Sequence, residues 1–325
     1  QKELVPTLPH GAPVTCCLAE NQAAEADWMA SEMLRLHAEG LPWRDMAVLY
    51  RAHYVSRSVE EALLREKLPY TIYSGVQFFQ RAEIKDALSY LRMIGYRDDL
   101  SFRRVANVPK RNLGKRRMAF LEEYAQKHGC TLYQALTDSL EDPVFKGTKA
   151  AAFTSLVELF SAGYENRPIS EVLSALLNES GYEAMLRTEG SQERLDNLAE
   201  LKQSIYEYET TCGEESTLEH YLAHVALFTN ADMGEAGDRV KLMTVHAAKG
   251  LEFPHVFLCG MNEGVFPSRK VRTRPAMEEE RRLAFVALTR AEQGLYLSGA
   301  EGRRFDGSPW YPSRFLLDIG PEHLS

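Results

Sequence analysis

The sequence predicts an α/β fold in which a parallel β-sheet domain is split by a long all-helical insertion. Three observations predict it. Apolar runs at 46–50 and 70–73 flank a helical stretch, which is the βαβ pattern of a parallel sheet. Between about 98 and 237 strand-like runs vanish and helical periodicity takes over, as in Leu173, Leu176, Leu177 and in Leu195, Leu198, Leu201. Apolar runs then return at 240–245, 255–259 and 295–298.

Each element has its own warrant. Ala26, Met29, Ala30 and Met33 fall at i, i+3, i+4, i+7, so 21–39 reads as an amphipathic helix. Glu25 and Asp27 sit near its positive end, and Gly40-Leu-Pro42 stops it. Met46-Ala-Val-Leu-Tyr50 is continuously apolar, as a strand buried on both faces must be. Ser58-Val-Glu-Glu61 has capping-box form and opens a helix to about Glu66, which Pro69 closes. The strand Tyr70-Thr-Ile-Tyr73 leaves through Ser74-Gly75, and 83–94 is helical with Ile84, Ala87, Leu88 and Leu91 on one face. Gly/Glu-rich breaks at 211–216 and 230–237 punctuate the helical region, and a helix at about 277–291 precedes the last strand.

A chain of 325 residues, 45% hydrophobic and 26% charged, is of soluble globular type and long enough for two domains. No apolar run approaches the roughly 18 residues of a membrane span. The start, Gln1-Lys-Glu-Leu-Val-Pro6, has neither an apolar signal segment nor an initiator Met, so a piece of a longer protein is expected. Five scattered cysteines without a C-x-x-C pair read as reduced cytoplasmic thiols. The net charge of −8 argues against a generally basic surface, yet 101–117 holds seven basic residues and no acidic one. Such a patch is either a solvated loop or a phosphate-binding surface.

Ligands of a parallel α/β sheet collect beyond the carboxyl ends of its strands. Two such ends are polar here: Arg51-Ala-His53 after 46–50, and His246 with Lys249-Gly250-Leu-Glu252 after 240–245. On the helix at 277–291, Leu283, Val286, Ala287 and Arg290 project within a narrow sector, which places an arginine on the apolar stripe. A buried guanidinium needs an anionic partner, either a carboxylate such as Glu252 or Glu280 or a bound phosphate. His220 and His224 stand one helical turn apart, but a Tyr follows His220 and no third ligand is near, so no metal site is expected. No G-x-x-x-x-G-K-[ST] occurs; the nearest stretch, Leu113-Gly-Lys-Arg116, lacks its first Gly and its hydroxyl. Alone, the chain is expected to bind and hydrolyse ATP poorly.

Together these motifs resemble the C-terminal half of the UvrD/PcrA/Rep-type helicases of superfamily 1, over nearly the whole chain. Asp45-Met-Ala-Val-Leu-Tyr-Arg-Ala-His-Tyr-Val-Ser-Arg-Ser-Val-Glu-Glu61 is similar to the family's LYRxNxQSRxxEE segment. Ser74-Gly-Val-Gln-Phe-Phe-Gln-Arg-Ala-Glu-Ile-Lys-Asp-Ala-Leu-Ser-Tyr-Leu-Arg92 is similar to its GGxxFFxRxEIKDxLAYLR segment. Residues 240–254 resemble motif V and 278–291 motif VI; Glu193-Arg-Leu-Asp-Asn-Leu198 and Pro312-Ser-Arg-Phe-Leu316 also fit. The sequence departs from the pattern in having His53 for an Asn, Asn112-Leu-Gly114 for a Gly-Ile-Gly turn, and Phe305 one position ahead of the usual aromatic.

The resemblance implies a RecA-like domain 2A at 1–97 and 238–325, split by a helical domain 2B at 98–237. It implies an ATP-dependent 3′–5′ DNA helicase whose P-loop and Mg²⁺ ligands lie outside this chain. ATP would sit between 2A and an N-terminal RecA-like domain of the same protein. Arg290 would act as an arginine finger on the γ-phosphate, with Gly250 and Glu252 near the ribose and phosphates. Arg51, His53, Thr244 and His246 would meet single-stranded DNA; Lys110, Arg111 and Gly114 would grip the duplex at a single/double-strand junction. A cytoplasmic, nucleoid-associated protein with repair or transcription partners is implied. Two other readings stay open, a non-catalytic 2B-type interaction module and a part of a helicase–nuclease subunit.

Overall fold

The computed structural model describes residues 11–213, 216–229, 237–320 and 323–325. In chain order the first elements are β1 (Thr15–Ala19), α1 (Gln22–Ala38), β2 (Met46–Tyr50), α2 (Ser56–Arg65) and β3 (Tyr70–Ile72). Helices follow: α3 (Ala82–Gly95), α4 (Asp99–Val105), α5 (Lys115–His128), α6 (Leu132–Asp138), α7 (Ala150–Ser161), α8 (Ile169–Glu179), α9 (Tyr182–Thr188), α10 (Gln192–Cys212) and α11 (Leu218–Thr229). The chain ends with β4 (Val240–Thr244), β5 (Phe253–Leu258), α12 (Arg274–Leu288), β6 (Ala291–Ala300) and α13 (Arg314–Ile319). The predicted break at 230–237 lies almost wholly outside the described residues, and that at 211–216 partly so.

Two compact units result, Gln1–Phe78 with Ala231–Ser325, and Phe79–Asn230. The first carries a six-stranded sheet in the order β1-β6-β5-β2-β4-β3, every pair parallel. Alternation along β2 explains why all five of its residues are buried. Met46, Val48 and Tyr50 join a cluster with Ala26, Met29, Ala30 and Met33 of α1 and Val59 of α2. Ala47 and Leu49 face the other way, toward Ala284 and Ala287 of α12 and Phe315 and Leu316 of α13. Burying both faces is what a parallel sheet requires.

Several predicted edges shift. The opening of α2 lies at Ser56, not Ser58, and Ser56 Oγ donates to Glu60 Oε1 at 2.6 Å in place of the expected box. Glu25 does not line the solvated N-terminus of α1. It is 5% exposed, and its Oε1 accepts from Gly260 N and Ser298 Oγ, each at 2.8 Å, which ties α1 to the ends of β5 and β6. The strand β1 and the helix α13, five and six residues long, are too short for a periodicity to show.

The second unit is built of helices. The sequence reading put the change of texture at 98, but α3 already packs within this unit. Asn197 of α10 donates to Glu83 at 2.6 Å, and Tyr182 OH to Asp86 at 2.6 Å. Its interior includes Phe102, Leu121, Phe153, Leu173, Tyr182 and Leu201, each 1% exposed or less.

Candidate functional site

At the carboxyl ends of the central strands the sheet unit gathers most of the sequence-predicted residues. β2 delivers Arg51 and then His53, which opens a short 3₁₀ turn. The imidazole of His53 lies beside Gly75, where an added Cβ would meet it at 3.4 Å. β4 ends at Thr244, whose buried Oγ1 accepts from Ala247 N at 3.3 Å. That bond closes a tight turn, continued by Ala248 N to Thr244 O and Leu251 N to Ala248 O. The hydroxyl of Thr244 therefore shapes the loop from within, while His246, Lys249, Gly250 and Glu252 point outward and are exposed. Gly250 has φ +85° and open space around its Cα, so the loop turns there without a side chain in the way.

Helix α12 ends three residues earlier than its periodicity predicts, and this changes the reading of Arg290. Thr289 is the C-cap, so Arg290 stands beyond the helix and not on its apolar stripe. Its carbonyl already accepts from Phe253 N, next to the start of the β5–β6 ladder. The guanidinium folds back: Nε donates to Val286 O at 2.9 Å, Nη1 to Leu251 O at 2.9 Å and Nη2 to Thr289 Oγ1 at 3.0 Å. Among the described residues no carboxylate pairs with it. Carbonyl oxygens align the cation without cancelling its charge, which leaves it suited to an anion. The Leu251 bond also ties it to the loop that carries Gly250 and Glu252.

Of the two carboxylates weighed as partners for Arg290, Glu280 serves another residue. Glu280 takes the side of the Arg51 guanidinium, Nη2 to Oε1 at 2.6 Å and Nε to Oε1 at 2.9 Å and to Oε2 at 3.2 Å. Its Oε2 also accepts from Ser268 N at 3.1 Å. His246 titrates below its ordinary value, first because burial disfavours the charged ring and then because of Arg51, with Glu280 and Glu279 opposing.

In the helical unit the basic segment divides in two. Arg111 turns inward and is 5% exposed. Its Nη1 donates to Val105 O at 2.8 Å and Ala106 O at 3.2 Å, its Nη2 to Tyr90 OH at 2.8 Å and Ser180 O at 3.3 Å, and it lies 4.8 Å from the Phe153 ring centre. Lys110, Gly114, Lys115 and Arg116 stay exposed. Gly114 is the N-cap of α5, and with Lys110 and Lys149 it borders a cavity of about 380 Å³. Asn112, in the place of a glycine, adopts φ +62°, a left-handed conformation that Asn tolerates better than most residues.

A family model for the UvrD-like helicase C-terminal domain matches residues 6–302. The chain belongs to this family. It is 38% identical over 96% of its length to DNA helicase II of Escherichia coli (strain K12), covering 45% of that protein. To ATP-dependent DNA helicase PcrA of Staphylococcus aureus (strain Mu50) it is 37% identical over 94% of its length, covering 43%. The chain thus spans less than half the length of these curated relatives.

Within this UvrD-like C-terminal domain, the structure gathers Arg51, His53, Thr244, His246, Gly250, Glu252 and Arg290 in one unit, and Lys110, Arg111 and Gly114 in the other. The sequence reading missed the pairing of Glu280 with Arg51. A signal was present: Glu280, Ala284 and Ala287 share one face at i, i+4, i+7, so an acidic residue stands on the buried side of α12. Among the described residues no group of three His, Cys, Asp or Glu side chains could hold a metal. His224 lies instead between the rings of Tyr208 and Phe228. No helix among the described residues is long and apolar enough to cross a membrane.

Proposed function

We propose that this chain is the C-terminal motor half of an ATP-dependent DNA helicase, moving 3′ to 5′ along one strand. The sheet unit acts as domain 2A and the helical unit as domain 2B. Family membership supports the class, and both relatives are helicases by name. One observation carries the mechanism: Arg290 is aligned by backbone carbonyls, with no carboxylate partner among the described residues, beside an exposed Gly-containing loop. That donor chemistry fits a phosphate. ATP, when bound, supplies the γ-phosphoryl group whose hydrolysis drives the motor.

In this proposal Arg290 stabilises charge developing on the transferred phosphoryl oxygens, with Gly250 and Glu252 flanking the nucleotide. The nucleotide's remaining contacts, including the Mg²⁺ ligands, come from an N-terminal RecA-like domain of the same protein. Arg51, His53 and His246 contact the single strand, with Thr244 shaping the loop that presents His246. Lys110, Gly114 and the first turn of α5 meet duplex phosphates at the junction, while Arg111 holds that loop in shape from inside. The protein works in the cytoplasm, on the nucleoid, and repair or transcription proteins are its expected partners.

The test is Arg290→Ala in the full-length protein. DNA-stimulated ATP hydrolysis should fall by about 10³-fold or more, the size of an arginine-finger effect. Thermal unfolding should stay close to wild type, because every hydrogen bond Arg290 makes is at the surface or partly exposed. Wild-type turnover in the variant would overturn the assignment.

A further inference from the structure

The pairing of Arg51 with Glu280 bears on how the strand is held, an argument that rests on the function proposed above. Arg51 is long and flexible, and at the end of β2 its side chain is 23% exposed. An unrestrained arginine there would lose rotamer freedom on meeting a phosphate. Glu280 removes that freedom beforehand. Its two oxygens take Nε and Nη2, the edge of the guanidinium nearest the stem, at 2.6–3.2 Å. Nη1 makes no hydrogen bond among the described residues. Glu280 is itself fixed: its side chain is 6% exposed, it accepts from Ser268 N, and it projects from the buried face of α12. A carboxylate so restrained is a poor swinging counter-ion and a good anchor.

We propose that Glu280 is a positioning residue for strand binding. It clamps one edge of the Arg51 guanidinium so that the opposite edge, Nη1, is aimed at a backbone phosphate of the single strand. The planar fork of arginine can take a carboxylate on one edge and a phosphate on the other, which a lysine cannot do.

The experiment uses the full-length protein and a fluorescently labelled single-stranded oligothymidylate, with affinity measured across a series of salt concentrations. Arg51→Ala tests the underlying reading: affinity should fall about tenfold, the size of one charged hydrogen-bonded contact. The slope of log affinity against log salt should shrink by about 0.7, the value for one single-strand phosphate. Glu280→Ala should weaken binding to a similar degree, although it removes a negative charge, and should add less than about twofold when placed in the Arg51→Ala background. Arg51→Lys should behave like Glu280→Ala.

Three results would overturn the proposal. One is strand binding by Glu280→Ala as tight as, or tighter than, wild type. Another is an equal loss from Glu280→Ala in both backgrounds, which marks a merely structural role. The third is wild-type affinity in Arg51→Lys. Glu280→Gln keeps the shape and one acceptor oxygen, so it serves where Glu280→Ala does not fold, and it should show a smaller loss that also vanishes in the Arg51→Ala background. A wild-type protein that does not bind the strand at all would sink the functional reading, and the positioning role with it.

Discussion

Arg111 in the helical unit and Arg290 in the sheet unit answer the same problem in opposite ways. Both are arginines within a motif, and both are held chiefly by backbone carbonyls, with no carboxylate partner among the described residues. Arg111 is enclosed: its four acceptors come from four residues spread between Tyr90 and Ser180, and Phe153 covers its face. Arg290 is partly open, and its acceptors are its own helix end and the neighbouring loop. Enclosure makes a guanidinium an organiser of backbone, whereas partial exposure leaves its charge available to an incoming anion. The residue type alone does not decide between these roles.

Arginine-to-alanine changes at the two positions should therefore separate stability from activity. Arg290→Ala should spare folding and remove turnover if the proposed role holds. Arg111→Ala should lower the unfolding free energy by about 3 kcal/mol, because it strips partners from buried carbonyls and from the Tyr90 hydroxyl. Urea unfolding monitored by circular dichroism measures it. The comparison breaks if Arg111→Ala unfolds like wild type and loses only duplex binding, which would make Arg111 a surface contact after all.

This contrast marks how far the sequence could be read. The sheet was legible because β2, β4 and β5 are apolar on both faces and stand at the right spacing with the helices between them. The strand-end polar residues were legible for the same reason, since a strand that must be buried delivers its next residue to the sheet edge. Arg290 stands out in the sequence, but its setting does not: periodicity cannot see that Thr289 caps the helix. Arg111 entered as a duplex contact through the family resemblance, and a run of basic residues shows charge but hides direction, so its burial left no trace in the sequence. Pairings more than 200 residues apart, such as Arg51 with Glu280 or Glu25 with Gly260, leave no local pattern at all.

Glu25 sharpens the comparison from the acidic side. It is a buried carboxyl satisfied by neutral donors, as Arg111 is a buried cation satisfied by neutral acceptors. Burial raises its pKa, against the opposing hydrogen bonds from Gly260 and Ser298. A carboxyl whose folded pKa lies above its unfolded value stabilises the fold fully below the unfolded value, about 4.3, and loses that contribution as pH rises through the folded value. Both donors reach the same oxygen, so Glu25→Gln keeps both hydrogen bonds without the charge. Its stability relative to wild type should rise as pH goes from 4 to 8. Glu25→Ala should lie about 2 kcal/mol below Glu25→Gln at every pH, since Gly260 N–H and the Ser298 hydroxyl stay buried without an acceptor. Melting temperatures of the three proteins across pH give the answer, and parallel profiles for wild type and Glu25→Gln would show that the carboxyl titrates alike in the folded and unfolded chains, against the raised folded value.

The smallest effect is expected at His246, where exposure and charge meet at the proposed strand-binding edge. Its pKa is held below the ordinary 6.5 by partial burial and by Arg51, against the pull of Glu280 and Glu279. At neutral pH the ring is therefore uncharged. A strand phosphate nearby favours the imidazolium and raises that pKa in the complex, so binding takes up a proton. Affinity for single-stranded DNA should then increase as pH falls, roughly threefold between pH 7.5 and 6.0. His53 is a second imidazole, at the neighbouring strand end, so the variant decides the source. In His246→Gln the pH dependence should flatten, while the affinity at pH 7.5 changes little, because a neutral ring is replaced by a neutral amide. A pH profile unchanged by His246→Gln but flattened by His53→Gln would move the proton uptake to the end of β2 and leave His246 outside the strand contact.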